Sequence, residues 1–261
     1  MKLIGRSISI GKARGNVLRL NEPFSFLGGV DGSTGDLKVE NGGNLSNRIF
    51  VFPQGKGSTV GSFTMYDLKV HGKQPAAVIN NSAETIVATG AVISSIPMVD
   101  RIDVNLLKSG DDVTVDGDGG CVEIHNVRTV RSVSSVIFVN GRILLLRRPD
   151  TARSFPGVWS PVAGKTEDGE SVADAAAREI FEETGLRVQS PSASLDPAMV
   201  RENDVIWIVH PLLFVHDSDD VTLNKENLEY KWVLPHEIET MDTVASTASA
   251  VREMLSKIKG P

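Results

Sequence analysis

The chain has 261 residues and a net charge of −6, with 33 Asp and Glu against 27 Lys and Arg. An acidic chain without a basic stripe is a poor partner for nucleic acid, because that affinity comes from many Lys and Arg contacts that release phosphate counterions. A single cysteine, Cys121, rules out an internal disulfide and a thiolate cage for zinc or an iron–sulfur cluster, and no apolar run has the length of a membrane span.

The length favours two domains of ordinary size, and the composition changes character near the middle. Of the 24 glycines, 18 precede residue 127, whereas Trp159, Trp207 and Trp232 all follow it. The boundary is expected between Asn126 and Ser132, giving domains 1–128 and 129–261. The opening MKLIGRSISIGKARG carries no apolar core for a signal peptide, so cytoplasmic residence is expected.

The first half is glycine-rich, with short β-prone runs (GNVLRL, RIFVFP, AAVIN, TIVATGAVIS, DVTVDG) between turn residues and one expected helix after Gly61. Gly55, Gly57 and Gly61 would let a loop approach a ligand, and Ser58, Thr59 and the amides of a following helix start can hold a carboxylate or phosphate, although most such loops are only turns. FSFLGGVD (24–31), VFPQGKGSTVGS (51–62), PAAVIN (75–80) and IVATGAVISSIPMVD (86–100) together resemble the small subunit of archaeal phosphomevalonate dehydratase, the swivelling domain of the aconitase X family. That resemblance implies a β/β/α swivelling domain, a link to isoprenoid biosynthesis, and Ser58 as the proton-abstracting base of a dehydration. It also implies a partner, a large subunit that bears the iron–sulfur cluster and most of the substrate pocket. Dehydration by this chain alone is therefore not expected, which leaves the half-chain either a docking or regulatory domain, a true dehydratase small subunit carrying a Nudix domain, or a non-catalytic metabolite sensor.

In the second half, residues 133–139 and 142–147 are apolar runs joined by Asn140-Gly141, a pair suited to a two-residue hairpin turn. A helix is expected from Ser171 to Thr184, with Ser171 and Asp174 as a capping box and Gly185 as its stop. At 100° per residue Glu179, Glu182 and Glu183 share one helix face, and Ala175 and Ala176 leave room beside them. A solvated acidic face would normally bring lysines at i+4, yet the one nearby cation is Arg178. Clustered carboxylates suit Mg²⁺ or Mn²⁺, which bridge phosphate oxygens and lower the pKa of an attacking water.

Gly164, Glu170, Arg178, Glu179, Ile180, Glu182, Glu183, Gly185 and Leu186 reproduce the Nudix signature G-x5-E-x7-R-E-U-x-E-E-x-G-U at every specified position, so this half resembles a Nudix hydrolase. The resemblance implies an α/β/α sandwich with a mixed sheet and hydrolysis of a small-molecule diphosphate. It implies the Ala163 carbonyl, Glu179 and Glu183 as metal ligands, Glu182 as a further ligand or the group that orients water, and Gly164, Glu170 and Arg178 as supports. A general base outside the signature is sought in LNKENLEYKWV, where Glu226 is the first candidate and Glu229 the second. Either could equally be an exposed loop charge.

Downstream, residues 205–215 read as a buried strand, LEYKWVLPHEI as a strand leading into a turn, and 243–258 as an amphipathic helix. His210, in an apolar run before Pro211, reads as a hydrogen-bonded core histidine sooner than a ligand. Trp159 and Trp207 could stack on a base, which favours nucleotide substrates over a prenyl diphosphate such as isopentenyl diphosphate.

Overall fold

The computed structural model describes residues 1–40, 42–152, 155–244 and 246–258. The chain divides into two compact units, Met1–Arg128 and Thr129–Pro261.

The first unit runs β1 (Lys2–Ile4), β2 (Arg6–Ser9), β3 (Lys12–Arg19), a kinked turn α1 (Phe26–Gly29), β4 (Ile49–Val51), α2 (Gly61–Val70), β5 (Ala77–Ile79), α3 (Thr85–Ile93), β6 (Met98–Asp100), β7 (Asp112–Asp116) and β8 (Cys121–Ile124). Its sheet has the order β1-β8-β7-β3-β4-β5-β6-β2. The strands β3 to β6 are parallel along β3-β4-β5-β6, and the flanking pairs are antiparallel. Every residue of β4, β5 and β6 is buried, as expected of parallel strands covered on both faces. Phe24, Phe26, Phe50 and Phe52 meet with ring centroids 4.8–6.1 Å apart and pack against Met65 and Leu68 of α2 and Val87 and Ala91 of α3.

The run TIVATGAVIS, read from its β-branched residues as a strand, is the helix α3. Glu84 caps it by accepting from the Ile86 N–H at 3.0 Å, and Val87, Gly90 and Ala91 form its buried face. Gly90 lies against Met65 so closely that a Cβ would collide with the Sδ. Helix–helix packing thus overrides a strand propensity worth at most about 1 kcal/mol per residue.

The second unit runs β9 (Arg128–Val139), β10 (Arg142–Arg147), β11 (Trp159–Ser160), β12 (Val162–Lys165), α4 (Val172–Thr184), β13 (Ala193–Ser194), β14 (Ala198–Glu202), β15 (Val205–Val215), β16 (Glu229–Val233) and α5 (Thr247–Ile258). The sheet order is β11-β10-β9-β15-β13, with β12 on β9, β14 on β15 and β16 on β10. The β9–β10 turn has Asn140 and Gly141 at φ of 48° and 81°, the left-handed pair that a two-residue hairpin demands. Val133, Ile137, Leu144, Leu146 and Phe214 meet α4 on one face, while Val136, Ile143, Leu145 and Leu213 meet α5 on the other. Alternating burial on β9 and β10 therefore serves two cores, one per face, in an α/β/α sandwich. The closing helix begins at Thr247, four residues later than its sequence pattern suggests.

Candidate active site

The loop and helix that carry the acidic residues are fixed at both ends. Ser171 caps α4 by accepting from the Asp174 N–H at 3.1 Å, and its hydroxyl donates to the Asp174 carboxylate at 2.6 Å. Gly185 closes the helix in the left-handed region at φ 74°. Arg178 braces the connecting loop: it grips Glu170 with two bonds of 2.9 and 3.0 Å and donates to the Lys165 carbonyl at 3.0 Å. That pairing pulls the Glu170 carboxyl below its usual range and holds the guanidinium firmly charged.

Arg178 also donates to Glu179 at 2.8 Å and to Glu182 at 3.4 Å. Glu179 lies directly against Gly164 of β12, where any Cβ would run into its carboxylate. The glycine is thus required by the packing of a glutamate onto a strand. Beside it in β12, Ala163 pairs with Ser134 of β9. Burial pushes the Glu179 carboxyl up despite its arginine partner.

Glu183 is 6 % exposed. Burial first, then the nearby Glu179 and Glu226 charges, push its carboxyl from 4.5 up to about 8, against a hydrogen bond from the Asn227 Nδ2 at 3.1 Å and the charge of Arg148. Glu182, by contrast, is solvent-exposed. The two candidate bases separate cleanly. Glu226 raises both Glu179 and Glu183, so it lies within electrostatic reach of the cluster, whereas Glu229 forms a 3.1 Å ion pair with Arg147.

Among the described residues, no three His, Cys, Asp or Glu side chains are gathered tightly enough to enclose a cation. The donor chemistry nonetheless fits a hard divalent ion. The available groups are carboxylate and carbonyl oxygens, Gly164 keeps a cradle open at Glu179, and Glu183 is a buried acid met by the neutral amide of Asn227.

Ser58 belongs to the first unit, in the exposed loop between β4 and α2, where its Oγ accepts from the Val60 N–H at 3.4 Å. Cys121 is a buried free thiol. His210 departs from its expected role: its Nε2 is buried with no hydrogen-bond partner, and burial together with Arg131 lowers its pKa. Asn227 carries no sequence signal beyond its place next to Glu226.

Comparison with known proteins matches residues 2–124 to the aconitase X swivel domain and residues 128–254 to the NUDIX domain. The chain belongs to the aconitase X swivel family through its first unit and is a Nudix protein in its second. The phosphomevalonate dehydratase small subunit of Thermococcus kodakarensis is 56% identical over 128 residues, covering 48% of this chain and 96% of that protein. Holo-form aconitase X from the same organism aligns at 53% identity with a TM-score of 0.47, over 48% of this chain and 98% of that one. The MutT protein of Methanosarcina mazei Go1 aligns at 27% identity with a TM-score of 0.46, over 52% of this chain and 99% of that one. The NUDIX match supports a hydrolase acting on phosphoanhydrides for the second unit. Among the described residues no helix is long and apolar enough to cross a membrane.

Proposed function

We propose that the protein is a cytoplasmic Mg²⁺- or Mn²⁺-dependent pyrophosphohydrolase acting on a nucleoside diphosphate-linked or related diphosphate. The observation that carries this reading is the buried Glu183, packed among carboxylates on a helix whose neighbour Glu179 fits only against a glycine. Glu179, Glu183 and the Ala163 carbonyl would hold the cation, with Glu182 as a further ligand or the group that orients water. The bound ion would offset phosphate charge and lower the pKa of the attacking water. Glu226 takes the proton from that water as its oxygen attacks phosphorus, the anhydride P–O bond breaks, and the leaving phosphate departs with the bonding pair. Glu170 and Arg178 keep the loop, and with it Gly164, in register with the helix.

For the substrate, Trp207 is the better aromatic platform. Lys165, next to Gly164, lies 5.7 Å from its ring centroid, where an ammonium could meet phosphate. Trp159 has Lys231 4.7 Å over its ring and packs on the α5 core. An aromatic face beside the signature favours a nucleotide over isopentenyl diphosphate. The test is a Mg²⁺ assay of nucleoside triphosphates, dinucleotides, ADP-sugars and prenyl diphosphates, reading phosphate or pyrophosphate release. Folded protein that hydrolyses none of them overturns the proposal.

A second reading concerns the first unit and rests on its 56% identity to a dehydratase small subunit. On this reading it docks on a larger subunit bearing an iron–sulfur cluster, with Ser58 as the proton-abstracting base. Co-purification with such a subunit, and gain of dehydration activity in the complex, would support it. A first unit that stays alone and binds the metabolite would instead be a sensor.

A further inference from the structure

Glu183 is too buried for water to set its orientation, and the neighbouring charges of Glu179 and Glu226 both repel it. Its side chain is instead met by the Asn227 Nδ2, which donates to Oε2 at 3.1 Å. With Glu183 ionised, as a cation ligand is, the nitrogen is the end that faces the carboxylate, because the amide oxygen would add another negative end to the cluster. We infer that Asn227 is a positioning residue: through this bond it fixes which way the Glu183 carboxylate faces, and so sets the divalent-cation affinity of the site. The inference rests on the hydrolase reading above.

The loop that delivers Asn227 is itself tied down. The Thr222 N–H donates to the Thr184 carbonyl at 2.9 Å and the Asn224 N–H to the Glu183 carbonyl at 3.3 Å, both at the end of α4. On the other side, the Leu228 N–H donates to the Arg147 carbonyl of β10 at 2.9 Å, and within the loop the Glu226 N–H donates to the Asn224 side chain at 3.0 Å. Glu226 and Asn227 therefore arrive as one unit, an acid and a neutral donor side by side. Neutrality matters to the design. A lysine at 227 would cancel the Glu183 charge and compete with a cation, whereas an amide orients the carboxylate and leaves its charge available.

The test is calorimetric titration of the full chain with Mn²⁺, alongside steady-state hydrolysis at varied Mn²⁺. Asn227→Leu should weaken Mn²⁺ binding roughly 10- to 100-fold, the usual loss when a group that orients a ligand is removed. Asn227→Gln, which keeps an amide donor, should recover part of that loss. Asn224→Ala removes only the side-chain bond to the Glu226 N–H and keeps the main-chain ties of the loop and the Asn227 amide, and should leave Mn²⁺ affinity within about twofold of wild type, a change of under 0.5 kcal/mol. Should Asn227→Leu fail to fold, Asn227→Ser reads the same loss. If Asn227→Leu binds Mn²⁺ like wild type, or Asn224→Ala weakens it equally, the positioning role is overturned while Glu183 keeps its own. If Glu183→Gln itself binds Mn²⁺ and turns over normally, the hydrolase reading of Glu183 falls first and this inference with it.

Discussion

Replacing Glu183 by Gln should make the metal-free protein more stable, and only at neutral to alkaline pH. The carboxyl titrates near 4.5 when the chain is unfolded and at about 8 in the fold. Between those values the folded state binds more protons than the unfolded one, so the stability this group confers is full below 4.5 and is lost as pH rises through 8. Integrating the linkage, wild type loses on the order of 3 kcal/mol between pH 5 and pH 8 from this group alone. Gln has the shape of the protonated acid and does not titrate, so the variant escapes that loss. For a domain of this size the difference is roughly 10 °C in Tm. All three tryptophans lie in the second unit, so tryptophan fluorescence follows its unfolding without interference from the first. Wild type and Glu183→Gln would be melted in EDTA from pH 5 to pH 8.5. The two Tm curves should nearly meet at the acid end and diverge with pH, and excess Mg²⁺ should raise wild type more than the variant. Parallel curves across that range would refute the argument that Glu183 is held as a destabilised buried acid.

Other substitutions address the remaining parts of the site. Glu226→Gln should lower kcat by roughly 10²- to 10⁴-fold with little change in Tm, while Glu229→Gln, which loses only an exposed ion pair with Arg147, should stay within about threefold; equal effects in steady-state assays would contradict the assignment. Gly164→Ala should reduce both Tm and kcat, since its methyl displaces the Glu179 carboxylate, and an unaltered melt would show that the cradle is not needed. Gly90→Ala should destabilise the first unit by about 1–3 kcal/mol through collision with Met65 while leaving hydrolysis unchanged. Fragments 1–128 and 129–261 should each fold alone, checked by circular dichroism and cooperative melting.

Much of the Nudix half is legible in the sequence because its constraints are local. Asn140-Gly141 fixes a hairpin, Ser171 and Gly185 fix a helix's ends, and helical spacing puts Glu179 and Glu183 on one side. What escapes is set by packing across elements. The strand-like composition of Thr85–Ile93 gives way to a helix because Gly90 and Ala91 allow close approach to α2, which no window of nine residues reveals. Glu226 and Glu229 are indistinguishable as letters in LNKENLEYKWV, and it takes β16 paired on β10 to give Glu229 its arginine and leave Glu226 at the cluster. Asn227 is invisible for the same reason, since its partner is 44 residues away.

The charge arrangement of the helix links its structural and catalytic parts. Glu170, Glu179 and Glu182 all contact a single guanidinium, so Arg178 steadies the loop and two carboxylates of the cluster at once. Glu183 gets no share of it, and burial keeps that acid protonated near neutral pH. Arg178 thus balances Glu179 and Glu182, while Glu183 is balanced by a proton and the charge of Arg148. On the proposed reading, a divalent cation entering the cluster would displace the proton from Glu183, so binding should release hydrogen ion and tighten as pH rises toward 8. On that reading, the same feature that destabilises the metal-free fold at alkaline pH would supply charge to the cation, beside a Glu179 whose charge is shared with Arg178. A structural acidic helix would be selected for the opposite arrangement, with each glutamate solvated or matched to a lysine one turn away. On the proposed reading, a buried Glu183 met by a neutral amide serves cation binding at the expense of stability.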